Sequence, residues 1–226
     1  RVTGKFSPVE TGGGGGRRFG GGGGGIMVMP GTYSVEMALW DDGVVKPLAG
    51  PVKFTAKKLD NVTLPAKDYS ENVAFAQKVS KLSMAMVGTD RLTEELTTRV
   101  ENIKQAIYST PGAGQALMDQ ARKTAMELEE IRFAMNGVAA KASQEEVPPA
   151  QLPLNSRLSN IVRAHISNSA GISPAEKAEF DILKEEFPPV LSRLKKIAET
   201  NIPALEQALN KLNAPWTPGR VPVWND

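Results

Sequence analysis

Apolar residues recur every three or four positions through residues 69–212, the period of a helix with one buried side. The first stripe runs Ala76, Val79, Leu82 and Met86, and resumes beyond Gly88 at Leu92, Leu96, Val100, Ile103 and Ile107. A lone glycine costs a helix only about 1 kcal/mol against alanine, so this pattern predicts one long helix with a weak point at Gly88-Thr89-Asp90. Pro111-Gly112-Ala113-Gly114 ends it. A second stripe follows at Leu117, Ala121, Ala125, Leu128, Ile131, Met135 and Val138. The opposite face carries Asp119, Arg122, Lys123, Glu127, Glu129 and Glu130 and is expected to be solvated.

Pro148-Pro149 cannot extend a helix, because each lacks an N–H and restricts the residue before it. The third stripe is shorter: Leu154, Leu158, Ile161, Val162, His165 and Ile166, closed by Gly171. Ser173, Pro174 and Glu176 then form a capping box with the favoured first-turn proline, the most specific local signal in the chain. The fourth stripe runs Phe180, Leu183, Phe187, Leu191, Leu194, Ile197, Leu205, Leu209 and Leu212. Pro188 and Pro189 predict a kink or short break near Phe187, and Pro203 another before it. One-sided helices are not stable alone in water, and short connections favour antiparallel neighbours. The economical arrangement is an up-down four-helix bundle. A coiled-coil dimer is less economical, because turns interrupt the stripes and no strict heptad is evident.

Upstream the period changes to two. Tyr33, Val35, Met37 and Leu39 alternate with polar residues, predicting a strand with one buried face. Asp41-Asp42-Gly43 is a hairpin turn. Val44-Val45-Lys46 returns, residues 47–51 read as a Pro/Gly-rich turn, and residues 52–56 as a further strand. Another short strand is expected around residues 2–6. Three or four strands are too few for a complete sandwich, so the remaining strands are expected before Arg1. The fold class is therefore α+β: a partial Ig-like antiparallel β-sandwich over residues 1–64, a four-helix bundle over 65–213, and an extended Pro/Trp tail over 214–226. In that tail Trp216 and Trp224 either dock on the chain itself or contact a partner.

Residues 11–25 are almost pure glycine apart from Arg17, Arg18 and Phe19, and read as a flexible loop. Two arginines in a chain of net charge +2 make a poor nucleic-acid segment. A phosphate-cradling loop would lead into a helix with Lys and Ser/Thr, whereas Ile26-Met27-Val28-Met29-Pro30 reads as extended. No apolar run reaches the roughly 18 residues of a membrane span. The chain has no cysteine and one histidine, His165, too few parts for a thiolate zinc site or a His-dependent triad. Val162, three residues before His165, stands where a di-iron motif needs Glu. Glu94-Glu95, Glu129-Glu130, Glu145-Glu146 and Glu185-Glu186 are adjacent pairs, which diverge on a helix and do not converge on a cleft. No catalytic, cofactor-binding or metal-binding residue is assigned, and no cofactor or nucleic-acid partner is expected.

The order of features carries a resemblance. Met29-Pro30-Gly31-Thr32-Tyr33-Ser34-Val35 is followed by Leu48-Ala49-Gly50-Pro51-Val52-Lys53-Phe54. Downstream stand Leu154-Asn155-Ser156-Arg157-Leu158-Ser159 and Ile202-Pro203-Ala204-Leu205-Glu206-Gln207-Ala208-Leu209. This order resembles the C-terminal part of bacterial sortilin-like BNR-repeat β-propeller proteins, often described as glycosyl hydrolase-like. The resemblance covers most of residues 31–224, and the Gly-rich stretch departs from it. It implies a small Ig-like sheet and a helical bundle behind an upstream β-propeller, and a secreted, periplasmic or cell-surface location. The expected role is a non-catalytic structural or interaction module whose partners are the upstream propeller and other envelope proteins. The alternatives are an accessory region of a glycoside hydrolase with its active site upstream, or a subunit of a larger cell-surface assembly.

Overall fold

A computed structural model describes residues 28–58, 63–138, 150–165 and 170–222, with the backbone alone at His165. The strand expected at residues 2–6, the Gly-rich stretch 11–25, Pro148-Pro149, Ile166 and Trp224 lie outside the described residues. The architecture is α+β: a two-stranded antiparallel sheet, β1 (Gly31–Asp41) and β2 (Val44–Ala56), and four helical segments. The helices are α1 (Tyr69–Tyr108), α2 (Gln115–Asn136), α3 (Leu154–His165) and α4 (Pro174–Lys196). The last continues through a π-helical turn (Ile197–Asn201) into α5 (Ile202–Lys211). The chain divides into two compact units, residues 1–81 with 160–177, and residues 82–159 with 178–226.

In the first unit, β1 and β2 pair from Gly31 opposite Ala56 to Asp41 opposite Val44. Residues 47–51 are not a turn between separate strands, as the sequence suggested. They lie within β2, which is 13 residues long against 11 in β1. Two register shifts, between Val35 and Met37 and between Met37 and Ala38, absorb the two additional residues. At the first shift Gly50 has φ 102°, and a Cβ there would stand 2.7 Å from the Val35 carbonyl oxygen. Only glycine fits that approach, so the Pro/Gly run bends the strand without ending it. Tyr33, Val35, Met37 and Leu39 do share one row with Phe54, Val52 and Ala49, as alternation predicted. That row is not buried: Val35, Met37, Val52 and Phe54 are each half or more exposed.

The same unit holds the start of α1. Asp68 caps it, accepting from the Ser70 N–H (2.8 Å) and from the Ser70 hydroxyl (2.6 Å). The Asn72 amide donates to the Ala170 carbonyl at 2.7 Å, and Lys177 pairs with Glu71. At α4 the predicted capping box forms. The Glu176 N–H donates to Ser173 Oγ at 3.2 Å, and the Ser173 N–H donates to Glu176 Oε2 at 2.8 Å.

α1 is a single helix through Gly88, as its stripe predicted. From Phe75 to Ile107 a seam of buried and half-buried positions runs 75, 79, 82, 86, 89, 93, 96, 100, 103 and 107, alternating steps of four and three. The heptad spacing judged missing from the sequence is therefore present in α1, with Thr89 and Thr93 in the seam. Each hydroxyl is satisfied by the carbonyl one turn back: Thr89 donates to Ala85 at 3.0 Å and Thr93 to Thr89 at 2.8 Å. In the second unit α2 buries Ala121, Thr124, Leu128, Ile131 and Met135, again in steps of three and four. Val138 is exposed, because Gly137 ends the helix before the stripe reaches it.

α4 is continuous through Pro188 and Pro189, so of the kink or short break expected there no break occurs. The interruption comes at residues 197–201. There the buried set, Leu183, Phe187, Val190, Leu194 and Ile197, steps by five to Ile202 before resuming at Leu205 and Leu209. A π turn supplies that step: the Ile202 N–H donates to the Ile197 carbonyl. Pro203, which has no N–H to give the ladder, follows directly. The helical run thus keeps one buried side past its proline.

Candidate functional site

A cluster of hydrogen bonds lies where the tail leaves α5, wholly within the second unit. Asn213, at φ 50°, sits just past the helix end. Its N–H donates to the Asn210 carbonyl (3.1 Å), and the Ala214 N–H donates to Leu209 (3.0 Å). This paired closure of a helix end turns the chain back and buries Ala214. Thr217 is buried between Pro215 and Pro218, and the tail, expected to run extended, turns at Pro218-Gly219, where Gly219 has φ 88°. The Arg220 N–H then donates to the Thr217 carbonyl (3.1 Å), and the Arg220 guanidinium donates to Ala214 (2.8 Å).

Arg99 on α1 anchors this loop. Its Nε and Nη2 donate to the two carboxylate oxygens of Glu206 on α5, at 2.7 and 2.8 Å, and Nη2 also donates to the Gly219 carbonyl at 3.1 Å. Glu206 is nearly buried, set between the buried Leu205 and Leu209. A planar fork matched to a carboxylate orients both groups, so the pair fixes α1, α5 and the tail together.

Trp216 rides on this loop with 57% of its surface exposed, and its Nε1–H donates to the Arg220 carbonyl at 2.6 Å. The tail was expected to be anchored by its tryptophans. In the described part it is anchored by Ala214, Thr217 and the Arg99 bond, and the indole of Trp216 faces outward. The ring edge is tethered while more than half of the side chain stays exposed.

A second polar junction ties three helices of the same unit. Asp90 of α1 accepts from the Asn136 side chain of α2 at 3.1 Å and from the Asn155 side chain of α3 at 2.6 Å. Asn155 also donates to Asn136 at 2.8 Å. On the surface, Lys123, Met126, Glu127, Glu130, Arg193 and Lys196 line an open groove of about 380 Å3. Within it Arg193 pairs with Glu130, and the Asn201 amide donates to Glu127 at 3.3 Å. Among the described residues, no group of three or more His, Asp or Glu stands close enough to hold a metal ion. No described helix is long and apolar enough to cross a membrane. The hydrogen bonds from the Ser70 side chain and then its backbone hold the Asp68 carboxyl below its ordinary value of 3.8.

Sequence reading placed Trp216 correctly as a tail residue but missed Arg99, Glu206 and the Asp90–Asn136–Asn155 junction. One signal was available: Asp90 lies in the supposed weak point of α1. Comparison of the chain with family models, with curated proteins and with solved structures gives no match.

Proposed function

We propose that this chain is a non-catalytic C-terminal module of a longer sortilin-like β-propeller protein of the bacterial cell envelope or secreted fraction. In this reading β1 and β2 belong to an Ig-like sandwich, the helices form an up-down four-helix bundle, and the module supports or docks the propeller. One observation carries it: most of the helical stripe residues are buried or half-buried while Val35, Met37, Val52 and Phe54 in the apolar row of the hairpin are left open. An isolated two-stranded hairpin is marginal in water, and burial of an apolar face normally needs further strands or a covering layer. The polar side chains with the best geometry, Arg99, Glu206, Asp90, Asn136 and Asn155, are engaged with one another as ties between elements.

The test has two arms. The chain, incubated with glycan and peptide substrates, is expected to give no turnover. Robust hydrolysis that disappears on replacing one carboxylate overturns the reading. In the longer protein, amide exchange over residues 31–56 is expected to be slower than in the isolated chain, because the propeller side covers the hairpin.

A further inference from the structure

We infer that the outer edge of β1, which no described residue pairs, pairs with β1 of a second copy of this chain, making a continuous four-stranded antiparallel sheet about a two-fold axis at Val35. This goes beyond the proposed module role and does not depend on it.

The two edges of the hairpin differ. β2 carries Pro47 and Pro51 and both register shifts, features that block and twist an edge against further pairing. β1 has no proline from Gly31 to Asp41, so its outer N–H and C=O groups form an uninterrupted ladder. Natural sheets blunt edges that must stay unpaired, and here only one edge is blunted.

The sequence of β1 then selects the register. Antiparallel pairing must keep the apolar row on one face, so the axis passes through a residue and not between two. An axis at Glu36 sets like charges directly opposite, which is destabilising. An axis at Met37 places Asp41 opposite Tyr33 in the apolar row. An axis at Val35 pairs nine residues, from Gly31 opposite Leu39 through Val35 opposite itself. Combined with the observed β1–β2 register, one apolar row across the sheet reads Val52, Val35, Val35, Val52, and its neighbour reads Phe54, Tyr33, Met37, Ala49. On the other face the row reads Lys53, Ser34, then Glu36 of the second copy. Two strand spacings of about 4.8 Å separate that lysine from that glutamate, within the joint reach of their side chains over the small serine. Neither Glu36 nor Lys53 makes an ion pair with a described residue. The symmetric register supplies each with one, twice over.

The chain contains no cysteine, so Val35→Cys puts a single thiol on the axis. Sedimentation of the native chain is expected to give twice the single-chain mass, and mild oxidation of V35C a covalent dimer. Thr55→Cys, on the blocked strand, is expected to give none. Glu36→Lys is expected to weaken the dimer about tenfold by replacing two attractions with two repulsions, with circular dichroism verifying that the variant is folded. Adding Lys53→Glu restores it. A chain that is monomeric at its highest soluble concentration overturns the inference, as does a dimer in which V35C fails to cross-link or E36K changes nothing.

Discussion

Replacing Glu206 with alanine removes both acceptors of the Arg99 fork and leaves a guanidinium with about a quarter of its side-chain surface exposed and one remaining acceptor, Gly219. Hydrogen bonds to charged groups are each worth about 1.5–3 kcal/mol, and breaking a fully buried pair costs about 3–5 kcal/mol. Because the guanidinium keeps some contact with water, the lower part of that range applies, about 2–3 kcal/mol for Glu206→Ala. Arg99→Met strands the more deeply buried carboxylate and is expected to cost about 3–4 kcal/mol. The double variant Arg99→Met/Glu206→Leu leaves no orphaned charge and is expected to regain about half of the summed loss, a coupling of about 3 kcal/mol. Urea unfolding followed at 222 nm gives the free energies, and amide exchange over residues 214–222 reads the tail that Arg99 no longer holds. If each single variant costs under about 0.5 kcal/mol and the two add, the pair behaves like an exposed surface ion pair and the account of the tail is wrong.

Three further outcomes follow from single positions. Gly50→Ala forces a Cβ to within 2.7 Å of the Val35 carbonyl at a positive φ and is expected to accelerate exchange across residues 31–56 while leaving the helices unchanged; an unaltered hairpin contradicts the register. The Asp68 carboxyl titrates below its ordinary value of 3.8, so its contribution is complete above that pH and is lost as pH falls through the lower folded value. Protection at the start of α1 should fall over that acid window in the native chain, and the acid response should be absent in Asp68→Asn, read by NMR titration of the Ser70 amide. Thr93→Val places an apolar residue in the α1 seam and removes a hydroxyl whose acceptor is a helix carbonyl. It is expected to be neutral or stabilising by about 0.5–1 kcal/mol, and a loss above about 1.5 kcal/mol indicates that the hydroxyl has a second role.

The helices were legible because their stripes depend on local periodicity alone. The α4 capping box was legible because all its parts lie within four residues. What was hidden depended on partners far along the chain. Thr89 and Thr93 read as polar, yet a hydroxyl that returns to its own helix can occupy a core position, so the α1 heptad was concealed by two satisfied threonines. The continuity of β2 through Pro47 and Pro51 was obscured because proline at a sheet edge loses no ladder bond, a fact that requires knowing which strand is the edge. The π turn was signalled by Pro203, but its position was set by the need to bring Ile202 back to the buried side. Glu206 went unassigned because its partner, Arg99, lies 107 residues away. Charge pairs of that kind leave no periodic trace.

The helices have already buried most of their apolar sides, whereas the hairpin has not. Hydrogen exchange on the isolated chain, at a concentration low enough to keep it monomeric, tests this most directly. Residues 86–107 of α1 and 121–135 of α2 should be protected together for hours, while residues 31–56 exchange within minutes. A hairpin as slow as the helices under those conditions means that its apolar row is already covered by the chain itself, and the proposed docking role would then have no surface to act through.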